Sequence, residues 1–352
     1  MKAWQTNNPL PWPTRLMWHN PISVGLTIDI RHLSYIAAQT KAIMKIFCWF
    51  LLLFAQITLV TAQSNKSVYL FSYFKGNGED GLHLAWSSDG LKWASLKNDS
   101  SFLKPTAGKD KLMRDPCVIR GADGLFHMVW TVSWSERTIG YASSKDLIHW
   151  SEQQNVPVME HEPTALNCWA PEIFYDEASK QYMIYWATTI PGRFPKGDTA
   201  SDKNHRIYYV TTKDFKTYSQ AAVLYDQGFN VIDATIQMNG AQYVMFLKDE
   251  TRYPPQKNLH TATSSTLTGG YSTPSKPITG NYWAEGPTVL KKGNQWIVYF
   301  DKYRDHKYGA VTSTDLVHWT EISDLLEMPK GIRHGTVLSI TKSELDKLLK
   351  EK

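Results

Sequence analysis

From Ser67 onward the chain alternates short apolar runs with Ser/Thr-, Asp- and Gly-rich breaks, a period-2 pattern that predicts strands throughout. Five related breaks recur: SSDGLKW ending at Trp93, SSKDLIHW at Trp150, TTKDFKTY at Tyr218, SSTLTGGY at Tyr271 and TSTDLVHW at Trp319, with spacings of 57, 68, 53 and 48 residues. Each reads as a strand end, a tight turn and an aromatic that opens the next strand. A short alternating run precedes each break (LHLAW, TIGYA, RIYYV, NLHTA, KYGAV), and before that stands a denser apolar strand (SVYLFSYF, GLFHMVWT, KQYMIYWA, AQYVMFLK, QWIVYFDK). A further strand leads four of the units: DPCVI from Asp115, PEIF from Pro171, DATI from Asp233 and GPTV from Gly286.

Four strands in roughly 50 residues is the content of a propeller blade. The first unit lacks its innermost strand, and His334-Gly-Thr-Val-Leu-Ser-Ile follows the last complete unit. An all-β, five-bladed β-propeller is therefore expected, its ring closed by the C-terminal strand joining the N-terminal blade, which leaves no free edge. A β-sandwich would not produce a fixed repeat with one circularly displaced strand. The tail SELDKLLKEK reads as a short surface helix.

The segment from Met44, MKIFCWFLLLFAQITLVTAQS, has one basic residue, an apolar run and small or β-branched residues at Val60 and Ala62. It predicts a signal peptide over residues 44–62, cleaved between Ala62 and Gln63, hence a secreted or periplasmic protein. A signal anchor would need about 20 apolar residues, and this run is shorter and contains Gln56. Residues 1–43 are then expected to be an upstream extension foreign to the functional protein, and residues 63–352 a single catalytic domain.

Of 352 residues, 42% are hydrophobic and 13% aromatic, enough for a sizeable core, and the formal charge is +5. Residues 1–62 contribute Lys2, Arg15, Arg31, Lys41 and Lys45 against Asp29, so the remainder holds 33 basic and 32 acidic side chains, a net of +1. That balance removes the electrostatic case for nucleic acid or an anionic membrane, and no membrane span is expected once the signal is cleaved. Cys117 and Cys168 are either a disulfide or two buried thiols, and neither has a metal-ligand spacing partner. Asn65 and Asn98 open glycosylation sequons. No organic-cofactor motif is visible and none is expected to be required.

In a propeller the first strand of every blade lines the central channel. Aligning those strands on Val118, Ile173, Ile236, Val289 and Val337 puts Asp115 and Asp233 in one register, with Glu285 and His334 expected one residue earlier. Three carboxylates and a histidine, scattered over 220 residues, thus converge on one channel mouth. Each alone is as readily a strand cap or half of a salt bridge. Together they fit glycoside hydrolysis, which uses one carboxylic acid to protonate the leaving oxygen and one carboxylate to activate water.

The motifs RDPCVI, WAPEIFYD, IDATIQMNG and EGPTVLKKG, in this order and one per blade, resemble glycoside hydrolase family 43, which includes β-xylosidases, α-L-arabinofuranosidases and arabinanases. The resemblance runs over residues 67–341. It implies Asp115 as general base, Asp233 as the residue that orients the acid and tunes its pKa, and Glu285 as general acid. It also implies inversion of the anomeric centre, with Asp115 and Glu285 roughly 6.5–9.5 Å apart. His334 matches a position near a channel-centre calcium ion or water cluster in many members, with water supplying most ligands. A buried histidine bonded to backbone fits the position equally.

Substrate contacts are expected from Trp169, which shares the register assigned to Glu285, from Trp283 and Trp134, from Glu172, and from Arg114 and Arg333 beside Asp115 and His334. The loop PGRFPKGDTASDKNH, residues 191–205, is the longest insertion, and Arg193 or Phe194 is expected to shape a sugar subsite. The chain lacks the WMNDPNG-like nucleophile motif of the related retaining fructan hydrolases. It also starts one strand pair earlier than many family members do, which makes a substrate taken from the best-known ones insecure.

These features point to an exo-acting glycosidase that removes a terminal pentose, L-arabinofuranose or D-xylose, from plant-type polysaccharide or oligosaccharide. The alternatives are a related propeller enzyme acting on galactose or anhydrogalactose residues, and a carbohydrate-binding propeller without catalysis. The last predicts a replaced carboxylate, and none is replaced. Oligomeric state is left open.

Overall fold

The structure is a computed structural model and describes Met44, residues 67–194 and residues 203–352. The upstream extension, the cleavage site and the rest of the leader lie outside the described residues, as do residues 195–202 of the long loop. The segment Ala62–Lys352 forms one compact unit.

Five antiparallel sheets make five blades. Blade 1 contains β1 (Ser67–Tyr73), β2 (His83–Ser87) and β3 (Ala94–Ser95), with β19 (Gly335–Thr341) as its innermost strand. Blade 2 is β4 (Arg114–Arg120), β5 (Phe126–Thr131), β6 (Ile139–Ser144) and β7 (Gln154–Val156). Blade 3 is β8 (Trp169–Asp176), β9 (Gln181–Thr189), β10 (His205–Thr212) and β11 (Ala222–Tyr225). Blade 4 is β12 (Val231–Asn239), β13 (Gln242–Asp249) and β14 (Asn258–Ser264), and blade 5 is β15 (Glu285–Lys292), β16 (Gln295–Lys302), β17 (Lys307–Ser313) and β18 (Thr320–Glu321). The ring closes as expected: β19 pairs with β1 from Ser67↔Thr341 to Tyr73↔Gly335.

The hydrophobic gradient follows from position in the blade. Second strands are covered on both faces by neighbouring blades, so β5 is buried at every position, whereas β3 and β18 at the rim are exposed. Apolar clusters fill all five blade interfaces, including the one that joins blade 5 to blade 1 through Phe71, Trp93, Leu290 and Tyr299. The inner strands would leave backbone donors bare on their channel edge, and side chains of adjacent blades accept from them. Ile236 N–H donates to Tyr185 Oη at 3.0 Å and Val337 N–H to Thr288 Oγ1 at 3.0 Å.

The repeated breaks are side-chain-capped turns. In blade 2, Leu147 N–H donates to Ser144 Oγ, and Ile148 and His149 N–H donate to Asp146 Oδ1. Asp89, Asp214 and Asp315 serve the same way in blades 1, 3 and 5. Blade 4 departs from the expected four strands. Its break has no Asp, and Pro274 and Pro277 in the segment after Tyr271 cannot donate to a ladder. Only spaced bonds join that segment to β14, such as Ser272 N–H to Thr263 O at 2.9 Å and Ile278 N–H to Leu259 O at 2.8 Å.

The tail forms α1 (Lys342–Leu348), started by a capping box between Thr341 and Glu344. It buries Leu345 and Leu348 in the blade 1–2 interface, and Glu344 pairs with Arg120 at 2.7 Å. Among the described residues no helix is long and apolar enough to cross a membrane. Cys117 and Cys168 are both free and buried, so the disulfide alternative does not hold.

Candidate active site

Four inner strands break register at the same place: between Arg114 and Cys117, Trp169 and Glu172, Ile232 and Thr235, and Glu285 and Thr288. Each break is a bulge whose central residue has a positive φ: Asp115 (53°), Ala170 (46°), Asp233 (53°) and Gly286 (61°). An L-residue there carries roughly 1–3 kcal/mol of strain, which a packed surround must hold in place. The bulges bring Asp115, Asp233 and Glu285 to the wall of one cavity of about 690 Å³, together with His334. His334 stands three residues before Val337, as Asp115 and Asp233 stand before Val118 and Ile236. It therefore shares their register, which corrects the expected offset with Glu285.

The carboxylates have different surroundings. Asp115 Oδ2 accepts from Thr131 Oγ1 at 2.8 Å, and Oδ1 lies 3.3 Å from His334 Nδ1. Burial alone would raise its pKa, but the hydrogen bond and charge of His334, with Arg114 nearby, hold it down at about 2. Burial works against the charged imidazole of His334 too, yet Asp115, Asp233 and Glu172 lift it to about 9. Asp233 is pushed up by burial and by the charges of Glu285 and Asp115, against the pull of His334 and Lys248. Its Oδ2 accepts from Gly286 N–H at 3.0 Å, which fixes the backbone next to Glu285. Glu285 itself is gripped by two cations, Lys248 at 2.9 Å and Arg333 at 3.1 Å.

A Cβ at Gly286 would lie 2.3 Å from His334 Cγ, at a φ of 61°. Gly286→Ala is therefore expected to displace the imidazole from Asp115, lowering turnover and costing about 2–4 kcal/mol of stability. A thermal melt alongside an activity assay checks both, and a variant with wild-type values for each would contradict this packing.

A family model for a probable glycosyl hydrolase domain, related to glycoside hydrolase family 43, matches residues 65–346. The chain belongs to the glycoside hydrolase 43-related family. An alpha-L-arabinofuranosidase of Bifidobacterium longum subsp. longum is 24% identical over 162 residues, 39% of this chain, and the chain spans 15% of that relative's length. An alpha-L-arabinofuranosidase structure from Lactobacillus brevis has 18% identity and a TM-score of 0.47, covering 60% of this chain and 72% of its own. An endo-arabinase structure from Bacteroides thetaiotaomicron has 14% identity and a TM-score of 0.49, covering 65% and 86%.

In this 43-related propeller the other expected contact residues divide in two. Arg114, Trp134, Trp169, Trp283 and Arg333 line the cavity. Trp134 and Trp169 meet edge to face at 5.5 Å, and Arg114 stacks on Trp134 at 4.2 Å. Glu172 does not line it. Two residues beyond the bulge, it sits in the channel interior, accepting from Thr235 Oγ1 at 3.1 Å and Thr336 Oγ1 at 3.2 Å, with burial pushing its pKa up to about 7. Arg193 and Phe194 also stay outside the cavity wall: Arg193 pairs with Glu162 at 2.6 Å, and Phe194 packs on the blade 2–3 core beneath Arg206.

Several residues on or next to the cavity wall escaped the sequence reading: Lys248 and His205 line it, and Asp301 acts through Arg333. Lys248 and Asp301 stand one residue before the ends of second strands, directly opposite the bulge, in the pairs Ile232↔Lys248 and Glu285↔Asp301. The signal was there, a charged residue closing an apolar run in MFLK and VYFD. Asp301, pushed up to about 6 chiefly by burial, holds the Arg333 guanidinium that reaches Glu285. His205 is buried against Trp169 and Asn230, and burial lowers its pKa to about 4.

Three carboxylates act on His334: Asp115 at 3.3 Å, Asp233, and Glu172, the last accepting from the hydroxyls of Thr235 and Thr336. Among the described residues no group of three or more His, Cys, Asp or Glu side chains is disposed to hold a metal ion. Calcium takes six to eight oxygen ligands, so water would have to supply most of them beside His334. The side chains alone do not make a calcium cage at His334, and a calcium ion there would be held chiefly through water.

Proposed function

We propose that this protein is an inverting, exo-acting glycoside hydrolase that releases a terminal pentose, L-arabinofuranose or D-xylose, outside the cytoplasm. The observation that carries the reading is that three carboxylates from three blades wall one cavity in opposed electrostatic settings. Asp115, held ionised, takes a proton from water as that water attacks the anomeric carbon. The bond from that carbon to the leaving oxygen breaks, and Glu285 gives the oxygen its proton. Lys248 and Arg333 stand ready to stabilise the carboxylate left behind. Asp233 orients the Glu285 strand through Gly286 N–H. A pocket walled by Trp134, Trp169 and Trp283 supports end-on entry of a sugar chain.

The test is a screen of aryl glycosides and plant oligosaccharides with proton NMR of the first-formed sugar. The inverted anomer is expected. A retained anomer would overturn the single-displacement roles, and binding without turnover on every sugar would favour the non-catalytic propeller.

A further inference from the structure

The cavity wall carries more positive charge than its own carboxylates use. Lys248 pairs with Glu250 at 2.7 Å and Glu285 at 2.9 Å, Lys257 with Glu250, Arg333 with Glu285 and Asp301, and His334 with Asp115. Three further cations on the wall, Lys203, Arg252 and Arg304, form no salt bridge among the described residues. Each is placed by an aromatic ring instead: Lys203 over Trp169 at 5.0 Å, Arg252 over Tyr253 at 5.4 Å and Arg304 over Trp283 at 4.3 Å. A ring face holds a cation in position without neutralising it, so the charge stays available to a ligand. Lys203, Arg252 and Arg304 are exposed, whereas the catalytic carboxylates lie deeper. The excess is local, since residues 63–352 as a whole carry 33 basic and 32 acidic side chains.

We propose that the glycan accepted here carries an anionic group, a uronate carboxylate or a sulfate ester, on the sugars that lie at the cavity mouth beyond the residue removed. The proposal rests on the glycosidase reading for which sugar is cleaved, but not for the binding itself. Arginine suits either anion, because its planar fork bonds two oxygens at once.

The experiment is affinity electrophoresis of the wild-type full chain in gels containing polygalacturonate, its fully methyl-esterified form, a sulfated galactan or its desulfated form. The expected result is at least tenfold tighter binding to one anionic polymer than to its neutral counterpart, and the polymer that binds identifies the anion. Adding Arg252→Gln with Arg304→Gln is expected to lose at least tenfold of that binding. Lys180→Gln with Lys216→Gln, which removes two exposed charges outside this cavity, is expected to lose less than twofold.

Equal affinity for charged and neutral polymers, no retardation in any gel, or an equal loss in the two double variants overturns the inference. The hydrolase reading fails separately. Turnover of neutral glycosides without anionic preference sinks only the present inference, and selective anionic binding by a wild-type protein that cleaves nothing sinks only the hydrolase.

Discussion

Glu285→Gln is expected to lower kcat by about 10²–10⁴-fold on natural oligosaccharides while the protein keeps its fold. The size follows from the proposed role. A sugar hydroxyl leaves poorly without a proton, and glutamine has the shape of the acid but no proton to give. The loss should therefore shrink with aryl substrates whose leaving groups depart unprotonated, a dependence that a merely structural role would not produce. Asp115→Asn should instead be insensitive to the leaving group, because it impairs the attack of water. Added azide, which needs no base, should restore part of that reaction and give a glycosyl azide of inverted configuration. Rates on a leaving-group series for both variants check the assignment, and interchanged patterns would exchange the two roles. Breaking Glu285 away from Lys248 and Arg333 also leaves one buried and one part-buried cation without their shared partner, so some loss of stability accompanies the loss of rate.

His334→Gln is expected to give the largest loss of stability, about 3–5 kcal/mol, because it strips the cation from among buried Asp115, Asp233 and Glu172. In a domain of this size that corresponds to a fall in Tm of roughly 6–15 °C. The wild type should show a matching pH dependence. His334 is raised to about 9, so its contribution is complete below the ordinary histidine value of 6.5 and is lost as pH climbs through 9. Asp115 is lowered to about 2, so its contribution is complete above its ordinary value of 3.8 and is lost as pH falls through 2. The pair is thus intact between roughly pH 4 and 6.5, and its alkaline loss should vanish in His334→Gln. Thermal melts of both proteins from pH 4 to 9.5 check this. A parallel decline in the variant would show that other groups set the alkaline limb. Turnover should fall as well, since Asp115 would keep Thr131 on Oδ2 but lose the charged partner on Oδ1.

The blade count, the displaced closing strand and the three carboxylates were legible because each is a consequence of pattern. Strand burial in a propeller depends on position within the blade, so β5 and β16 read as dense apolar runs and the outer strands as alternating ones. The capped turns recur because Ser or Thr followed two residues later by Asp satisfies the same backbone donors each time. Where two prolines replaced that logic in blade 4, the fourth strand failed to form, and the repeat alone did not foretell it.

By itself the sequence determined which residues lie on inner strands and therefore which could meet, since a closed ring leaves its first strands nowhere else to point. It did not determine how far they turn. The bulges at Asp115, Ala170, Asp233 and Gly286 add a residue that simple alternation cannot count, and that step keeps Glu285 on the cavity wall while carrying Glu172 into the channel interior. Nor did it determine electrical roles. Those arise from contacts between strands far apart in sequence, Lys248 and Arg333 on Glu285 and His334 on Asp115, because Coulomb interactions and desolvation depend on distances in space that only the folded ring fixes.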